Sequence, residues 1–258
     1  MLRSIPTLRS HTLPWNFFCE HRPRYNLFAQ MPESIHRSVF IEGPAGRLEG
    51  LFWDPSRTHS PNGKPSIAAV VCHPHPLFGG TMHNKVVYQI ARTLDRVGVP
   101  SLRFNFRGVG LSPGKHDRGH GEREDARAAL DHMAGEFPGV PLMVAGFSFG
   151  CWVGLRAGCD DSRVTELAGL GPPVNDSDFS YLAASDKPRL FILGEHDQFG
   201  SPEKLSELIR TFPKSTQHVT KAVIVPGADH FFKGQLEEVD AALAGWLVAR
   251  YPELAAKK

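Results

Sequence analysis

The run Gly146-Phe147-Ser148-Phe149-Gly150 places a serine hydroxyl between two glycines, the residue types that nucleophilic catalysis at a tight turn requires. Pro141 to Ala145 before it reads as a short buried strand, and Cys151 to Ala157 after it reads as a helix. A serine on such a strand-to-helix turn takes a strained backbone conformation and projects its hydroxyl outward. Strand and helix come so close there that side chains two residues either side of the serine would clash; glycines at 146 and 150 remove the clash. The helix N-terminus then aims unpaired N–H groups and its positive dipole end at the place where an oxyanion would develop. The same pattern can arise by chance in a chain with 25 glycines, so the chemistry also requires an acid and a histidine.

Candidates for both follow in the chain. Arg189 to Leu193 is an apolar, strand-like run ended by Gly194-Glu195-His196-Asp197, and Lys221 to Val225 is another, ended by Pro226-Gly227-Ala228-Asp229-His230. Each leaves a polar residue just past the carboxyl end of a predicted parallel strand, the edge at which sites form in open α/β sheets. A serine hydroxyl is a poor nucleophile until His230 takes its proton, and the imidazole needs a carboxylate such as Asp197 to fix its tautomer and stabilise its charged form. Asp229 is a rival acid, but adjacent side chains diverge, which makes its geometry with His230 awkward. Asp176 and Asp178, after the preceding strand, are better rivals.

The elements that must position these residues alternate along the chain. Ser38 to Glu42 and Leu48 to Trp53 read as a hairpin about Gly43-Pro44-Ala45-Gly46. Residues 54–65 are rich in Pro, Ser, Asn and Gly and read as a loop. Ile67 to Cys72 suits a strand buried on both faces, Lys85 to Val97 a helix stopped by Gly98, and Ser101 to Phe106 a strand. A Gly-rich loop over 107–121 precedes a helix from about Glu122 to Phe137, Val164 to Leu170 is a further strand, Ser201-Pro202-Glu203 opens a capped helix, and a last helix runs from about Gln235 to Arg250. This order implies a mainly parallel sheet with helices on both faces. Gly171 to Lys187 joins two predicted strands in so few residues that any lid inserted there is small or absent.

Composition narrows the class. The chain of 258 residues, 41% hydrophobic and 22% charged with net charge +2, suits one α/β domain over residues 35–255 and gives no reason to expect a nucleic-acid or membrane partner. No apolar run approaches the ~20 residues of a membrane-spanning helix. Cys19, Cys72, Cys151 and Cys159 form no C-x-x-C pair and read as reduced structural thiols of a cytoplasmic protein. Residues 1–34 are expected to be a disordered extension, a transit segment or a start assigned too far upstream: the first thirty carry four Arg and the single acid Glu20, and Met31 stands just before the patterned sequence.

Four ordered segments now carry a resemblance: His73-Pro74-His75-Pro76-Leu77-Phe78-Gly79-Gly80-Thr81, Arg103 to Gly110, Gly146 to Gly150, and Gly227-Ala228-Asp229-His230-Phe231-Phe232. The sequence resembles the α/β-hydrolase superfamily, more narrowly bacterial predicted hydrolases related to dienelactone hydrolases and serine aminopeptidase-like proteins. The resemblance implies an α/β-hydrolase fold, a hydrolytic activity without a cofactor and a site of Ser148, Asp197 and His230; Asp197 is preferred because it follows the strand that carries the acid in this fold. In the superfamily the turn after the strand ending at Cys72 supplies one oxyanion N–H and the residue after the nucleophile the other, here Phe149. Proline has no N–H, which excludes Pro74 and Pro76 and favours His75, with Leu77 next.

Other readings are weaker. His73, His75 and His83 have no clustered acid to complete a metal site, and His73 is expected to be structural within the oxyanion loop. His116 and His120 read as a solvated surface or as residues at the site mouth. Gly108 to Lys115 mimics a phosphate loop but has Pro113 where the second glycine belongs. Phe231 and Phe232 read as packing around His230. The function expected is a serine hydrolase acting on a small-molecule ester, thioester or amide; a non-catalytic binding module and an acyltransferase are the alternatives.

Overall fold

Side-chain alternation along the strands decides the architecture. In the computed structural model, which describes residues 35–55 and 64–254, β1 (Ile35–Gly43) and β2 (Gly46–Asp54) form the expected hairpin about Pro44-Ala45. Six further strands follow: β3 (Ala68–Cys72), β4 (Ser101–Phe104), β5 (Leu142–Phe147), β6 (Val164–Leu170), β7 (Arg189–Gly194) and β8 (Thr220–Val225). They make one eight-stranded sheet in the order β1-β2-β4-β3-β5-β6-β7-β8. β2 pairs antiparallel with β1 and β4, and every other pairing is parallel. This is the α/β-hydrolase fold expected from the sequence.

Both faces of the sheet are covered, so the central strands are apolar at every position. Along β3 and β5, Ala68, Val70, Cys72, Leu142 and Val144 enter one core, with Ala129, Leu130 and Met133 of α2 (His120–Glu136) and Val153 and Leu155 of α3 (Phe149–Asp160). Ala69, Val71, Met143, Ala145 and Phe147 enter the other, with Val87, Ile90 and Leu94 of α1 (Lys85–Arg96). A short α4 (Pro202–Thr211) and a single-turn α5 (Lys214–Gln217) precede β8, and α6 (Leu236–Arg250) closes the second face with Val239, Leu243 and Leu247.

Several boundaries move for local reasons. β4 ends at Phe104, two residues early, because the Asn105 carbonyl accepts the Ser112 hydroxyl at 2.7 Å instead of continuing a ladder. α2 begins at His120, two residues before the expected start. Gly119 turns the chain there at φ +93°, and the Glu122 carboxylate accepts the amides of Asp117 and Gly119, both at 2.8 Å, satisfying donors the helix leaves open. Ser201 caps α4 as expected, accepting from the Lys204 amide at 3.2 Å. The expectation for residues 1–34 and most of the 54–65 loop lie outside the described residues.

The β6–β7 connection holds only one 3-10 turn, Ser180–Ala184, in agreement with a small or absent lid. Arg189 anchors it. The side chain is fully buried, and its guanidinium donates to the carbonyls of Lys187 at 3.1 Å, Leu182 at 2.7 Å and Ser185. Burial lowers the pKa of this cation, and three fixed carbonyls replace its water shell. Replacing Arg189 with Met would bury those carbonyls without donors. Urea unfolding of Arg189→Met is expected to show a loss of about 2–4 kcal/mol; a loss below ~1 kcal/mol would mean that the connection holds without this side chain.

Candidate active site

Ser148 sits between the last residue of β5 and the first of α3, with φ +55° and ψ −120°. A non-glycine residue at positive φ is strained. Its neighbours enforce the geometry: a Cβ added to Gly146 would overlap the Gly150 carbonyl, and one added to Gly150 would overlap the carbonyls of Cys72 and His73. The expectation from the glycine spacing is therefore met in detail, and the helix also packs against the end of β3.

Parallel register brings the other residues to the same edge. Gly194 pairs with Val225 at the ends of β7 and β8, and the chain beyond each carries Asp197 and His230. The His230 imidazole, 2% exposed, reaches Ser148 Oγ with Nε2 at 3.0 Å and Asp197 Oδ2 with Nδ1 at 2.7 Å. Asp197 Oδ1 accepts the amides of Phe199 at 2.8 Å and Gly200 at 3.2 Å, so both carboxylate oxygens are satisfied in a buried position. The rings of Phe147, Phe199 and Phe231 lie 4.7–5.2 Å from that of His230 and hold its plane. The rival acids stand elsewhere: Asp229 Oδ1 accepts the amides of Phe231 and Lys233, Asp178 accepts the Ser180 amide, and Asp176 is exposed on the wall of the Ser148 cavity.

Cys72 pairs with Gly146, so the loop after β3 runs beside the turn at Ser148. His73 is fully buried in it. Nε2 must accept from the Phe106 amide at 3.0 Å, which leaves the proton on Nδ1, where it is donated to the Pro74 carbonyl at 2.6 Å. Burial pushes this imidazole down to about 4. The structural role expected for His73 is what the hydrogen bonds describe. The Leu77 amide donates to the His75 ring at 3.2 Å, whereas the backbone amides of His75 and Phe149 make no hydrogen bond among the described residues. The His75 pKa is also lowered, by burial first and then by the neighbouring His116.

Two pairs of residues divide between readings. His120 is exposed, as a solvated surface requires, but His116 is not: its side chain is 10% exposed, its Nδ1 lies 2.9 Å from the buried Glu122 carboxylate, and its ring packs beside the site, 4.7 Å from that of His75 and 5.5 Å from that of Phe149. Phe231 and Phe232 do not share a role either. Phe232 is fully buried, but Phe231 is 53% exposed and lines the cavity at Ser148. That cavity, about 500 Å³, is walled mainly by Phe78, Phe149, Phe199, Phe231, Pro74 and Pro173. Glu122 was missed as a site-supporting residue; the spacing from Gly119 to Glu122 is the only sequence signal for it.

Among the described residues no group of three His, Cys, Asp or Glu side chains is placed to hold a metal ion, and no helix is long and apolar enough to cross a membrane. Burial raises the pKa values of Cys72 and Cys151, which keeps both thiols protonated.

This fold, with a serine at the strained turn and a histidine and carboxylate at the same sheet edge, defines an α/β-hydrolase. Residues 64–184 match the serine aminopeptidase S33 family, a segment that includes Ser148 and stops before Asp197 and His230. An uncharacterized Rickettsia prowazekii protein is 37% identical over 81% of this chain and 88% of its own. An α/β serine hydrolase homologue from Coxiella burnetii is 35% identical with a TM-score of 0.74, covering 82% of this chain and 97% of that one. A lidless α/β serine hydrolase from Xanthomonas campestris is 33% identical with a TM-score of 0.74, covering 84% and 94%. The chain belongs to the α/β-hydrolase superfamily.

The neutral, buried His73 has a consequence for stability. The unfolded chain takes up a proton on this imidazole near 6.5, whereas the native state resists it until about 4. As pH falls through that window the unfolded state binds more protons, so stability is complete above about 6.5 and declines toward 4, by roughly 3 kcal/mol from this group. Urea midpoints measured from neutral pH down to about 4 should fall more steeply for wild type than for His73→Gln. Parallel profiles would show that His73 does not titrate as its burial requires.

Proposed function

We propose that the chain is a cofactor-free serine hydrolase of small-molecule ester, thioester or amide substrates. Ser148 Oγ attacks the acyl carbon while His230 Nε2 takes the hydroxyl proton. Asp197 keeps the ring proton on Nδ1 and stabilises the imidazolium that forms. The negative oxygen of the tetrahedral intermediate is held by the amides of His75 and Phe149. His230 then returns its proton to the leaving group, whose bond to the acyl carbon breaks and leaves an acyl-enzyme on Ser148. Water, deprotonated by the same imidazole, releases the acid.

The observation that carries this reading is the continuous chain from Ser148 Oγ through His230 to Asp197, with links of 3.0 and 2.7 Å. The commitment of the Leu77 amide to the His75 ring supports His75 as the first oxyanion donor. His116, wedged between Glu122 and the rings of His75 and Phe149, acts as a positioning residue behind both donors. The free thiols of Cys72, Cys151 and Cys159 suit a reducing compartment, and we assign the chain to the cytoplasm.

An active-site fluorophosphonate should label wild type and leave Ser148→Ala unlabelled; equal labelling of the two would defeat the assignment of the nucleophile. In hydrolysis of p-nitrophenyl esters, Asp197→Asn is expected to lower kcat by roughly 10⁴-fold with KM little changed, because the imidazole is then held in the wrong tautomer. A fall of less than about tenfold would transfer the acid's role to another carboxylate.

A further inference from the structure

The cavity at Ser148 has a neighbour of different chemistry. A second space, about 630 Å³, is lined by His83, Asn84, Lys85, Asp229, Phe231 and Lys233, among other residues. Asn84 and Phe231 stand in the walls of both cavities, so the two adjoin across these side chains. The first is walled by phenylalanine and proline rings. The second is lined by two lysines from different elements, Lys85 at the start of α1 and Lys233 in the loop after β8.

These cations are uncommitted. Arg37, Arg96, Arg107, Arg127, Arg163 and Arg250 each pair with a carboxylate. The side chains of Lys85 and Lys233 make no hydrogen bond or ion pair among the described residues. The one acid in the same wall, Asp229, uses Oδ1 to accept the amides of Phe231 at 3.0 Å and Lys233 at 3.1 Å, so it serves the turn that presents Phe231. Two lysines against one engaged carboxylate leave the cavity cationic, with His83 adding a further donor. Asn84 Oδ1 caps α1 through the Val86 amide at 2.9 Å, which leaves the Asn84 NH₂ group free to donate at the shared wall.

We propose that the preferred substrate is an ester or thioester bearing an apolar part and, across the scissile carbonyl, a carboxylate or phosphate that seats between Lys85 and Lys233. The inference rests on the hydrolase reading above and names the substrate class for the same site. The apolar part lies against Phe149, Phe199 and Phe231, and the anion selects the substrate by charge. Because both lysines are exposed, the contribution of each is modest and falls with added salt.

Two matched pairs test it and locate the anion. S-hexanoyl mercaptopropionate against S-hexanoyl mercaptopropanol places the charge on the leaving group; the p-nitrophenyl monoester of adipic acid against p-nitrophenyl hexanoate places it on the acyl group. In one pair wild type is expected to favour the anionic member in kcat/KM, and that ratio is expected to fall about tenfold in Lys85→Met/Lys233→Met and to shrink as salt is raised. Ratios that are the same in variant and wild type in both pairs, or a wild-type preference for the neutral member in both, would overturn the proposal while leaving the hydrolase reading intact. If no substrate turns over and the fluorophosphonate leaves Ser148 unlabelled, it is the hydrolase reading that fails. The cavity is then read by titrating S-hexanoyl mercaptopropionate and monophenyl adipate into Ser148→Ala. Binding weakened by the two lysine substitutions supports the anion site, and equal binding or none overturns it.

Discussion

Close approach of backbone to backbone at residue 148 is the constraint on which the site depends. A positive φ at a serine costs about 1–3 kcal/mol and persists only where the surroundings over-determine it. Here they do: β5 lies between β3 and β6, every residue of β5 is buried, and the Ser148 amide is held by the Leu170 carbonyl at 2.9 Å. The glycines serve more than the turn itself. Without a Cβ at 150, the first turn of α3 can lie against the carbonyls of Cys72 and His73, which brings the loop after β3 beside the serine. One steric condition therefore places both the proposed nucleophile and the amides proposed to hold its oxyanion, although one of these, at His75, lies more than seventy residues from Ser148 in sequence.

The histidines around this point have different partners. His73 is locked as a neutral ring by a donor on one nitrogen and an acceptor on the other, in a fully buried position that disfavours a charge. His230 faces a buried carboxylate, so the imidazolium of the proposed mechanism would have a counter-charge beside it. His116 faces another, Glu122, whose oxygens also accept the Asp117 and Gly119 amides. A cation on His73 would compete with the imidazolium of the proposed mechanism; the carboxylate-backed ring of His116 packs against those of His75 and Phe149. Neighbouring Arg107 and Asp125, paired at 2.7 Å, tie the loop after β4, which carries His116, to α2.

Much of this was legible because it is local. The Gly146 and Gly150 spacing, the continuous apolar runs of β3, β5 and β7, and the polar residues just past β7 and β8 each report on geometry within a few residues. The preference for Asp197 rests on the resemblance, which puts the acid after this strand, with the divergence of neighbouring side chains counting against Asp229; Asp197 is the carboxylate 2.7 Å from His230. What escaped depends on chain folding back over distance. His116 looks solvated in a polar stretch, and only the return of α2 buries Glu122 beneath it. Phe231 and Phe232 look alike in sequence, but the chain at Phe232 takes φ +51° and sends that ring into the core while its neighbour faces the cavity. The proposal of His75 over Leu77 rests on where one imidazole nitrogen points, which no residue pattern encodes.

The short β6–β7 connection has a chemical cost that other parts of the site must offset. A lid excludes water and so strengthens every electrostatic interaction beneath it. Here the connection is pinned from below by Arg189 and leaves the rim open: Leu77 is 69% exposed, Phe78 87% and Phe231 53%. Water around Ser148 must then be displaced by the substrate itself. An apolar group laid against Phe78 and Phe231 gains about 25 cal/mol for each Å² it covers, and in covering them it dries the space in which the oxyanion forms. Substrate binding and desolvation become one event, so a substrate too polar to cover those rings loses rate as well as affinity. In such an open site, the proposed selectivity resides in the aromatic rim and the cations beside it, and the proposed serine, histidine and aspartate beneath can remain chemically general.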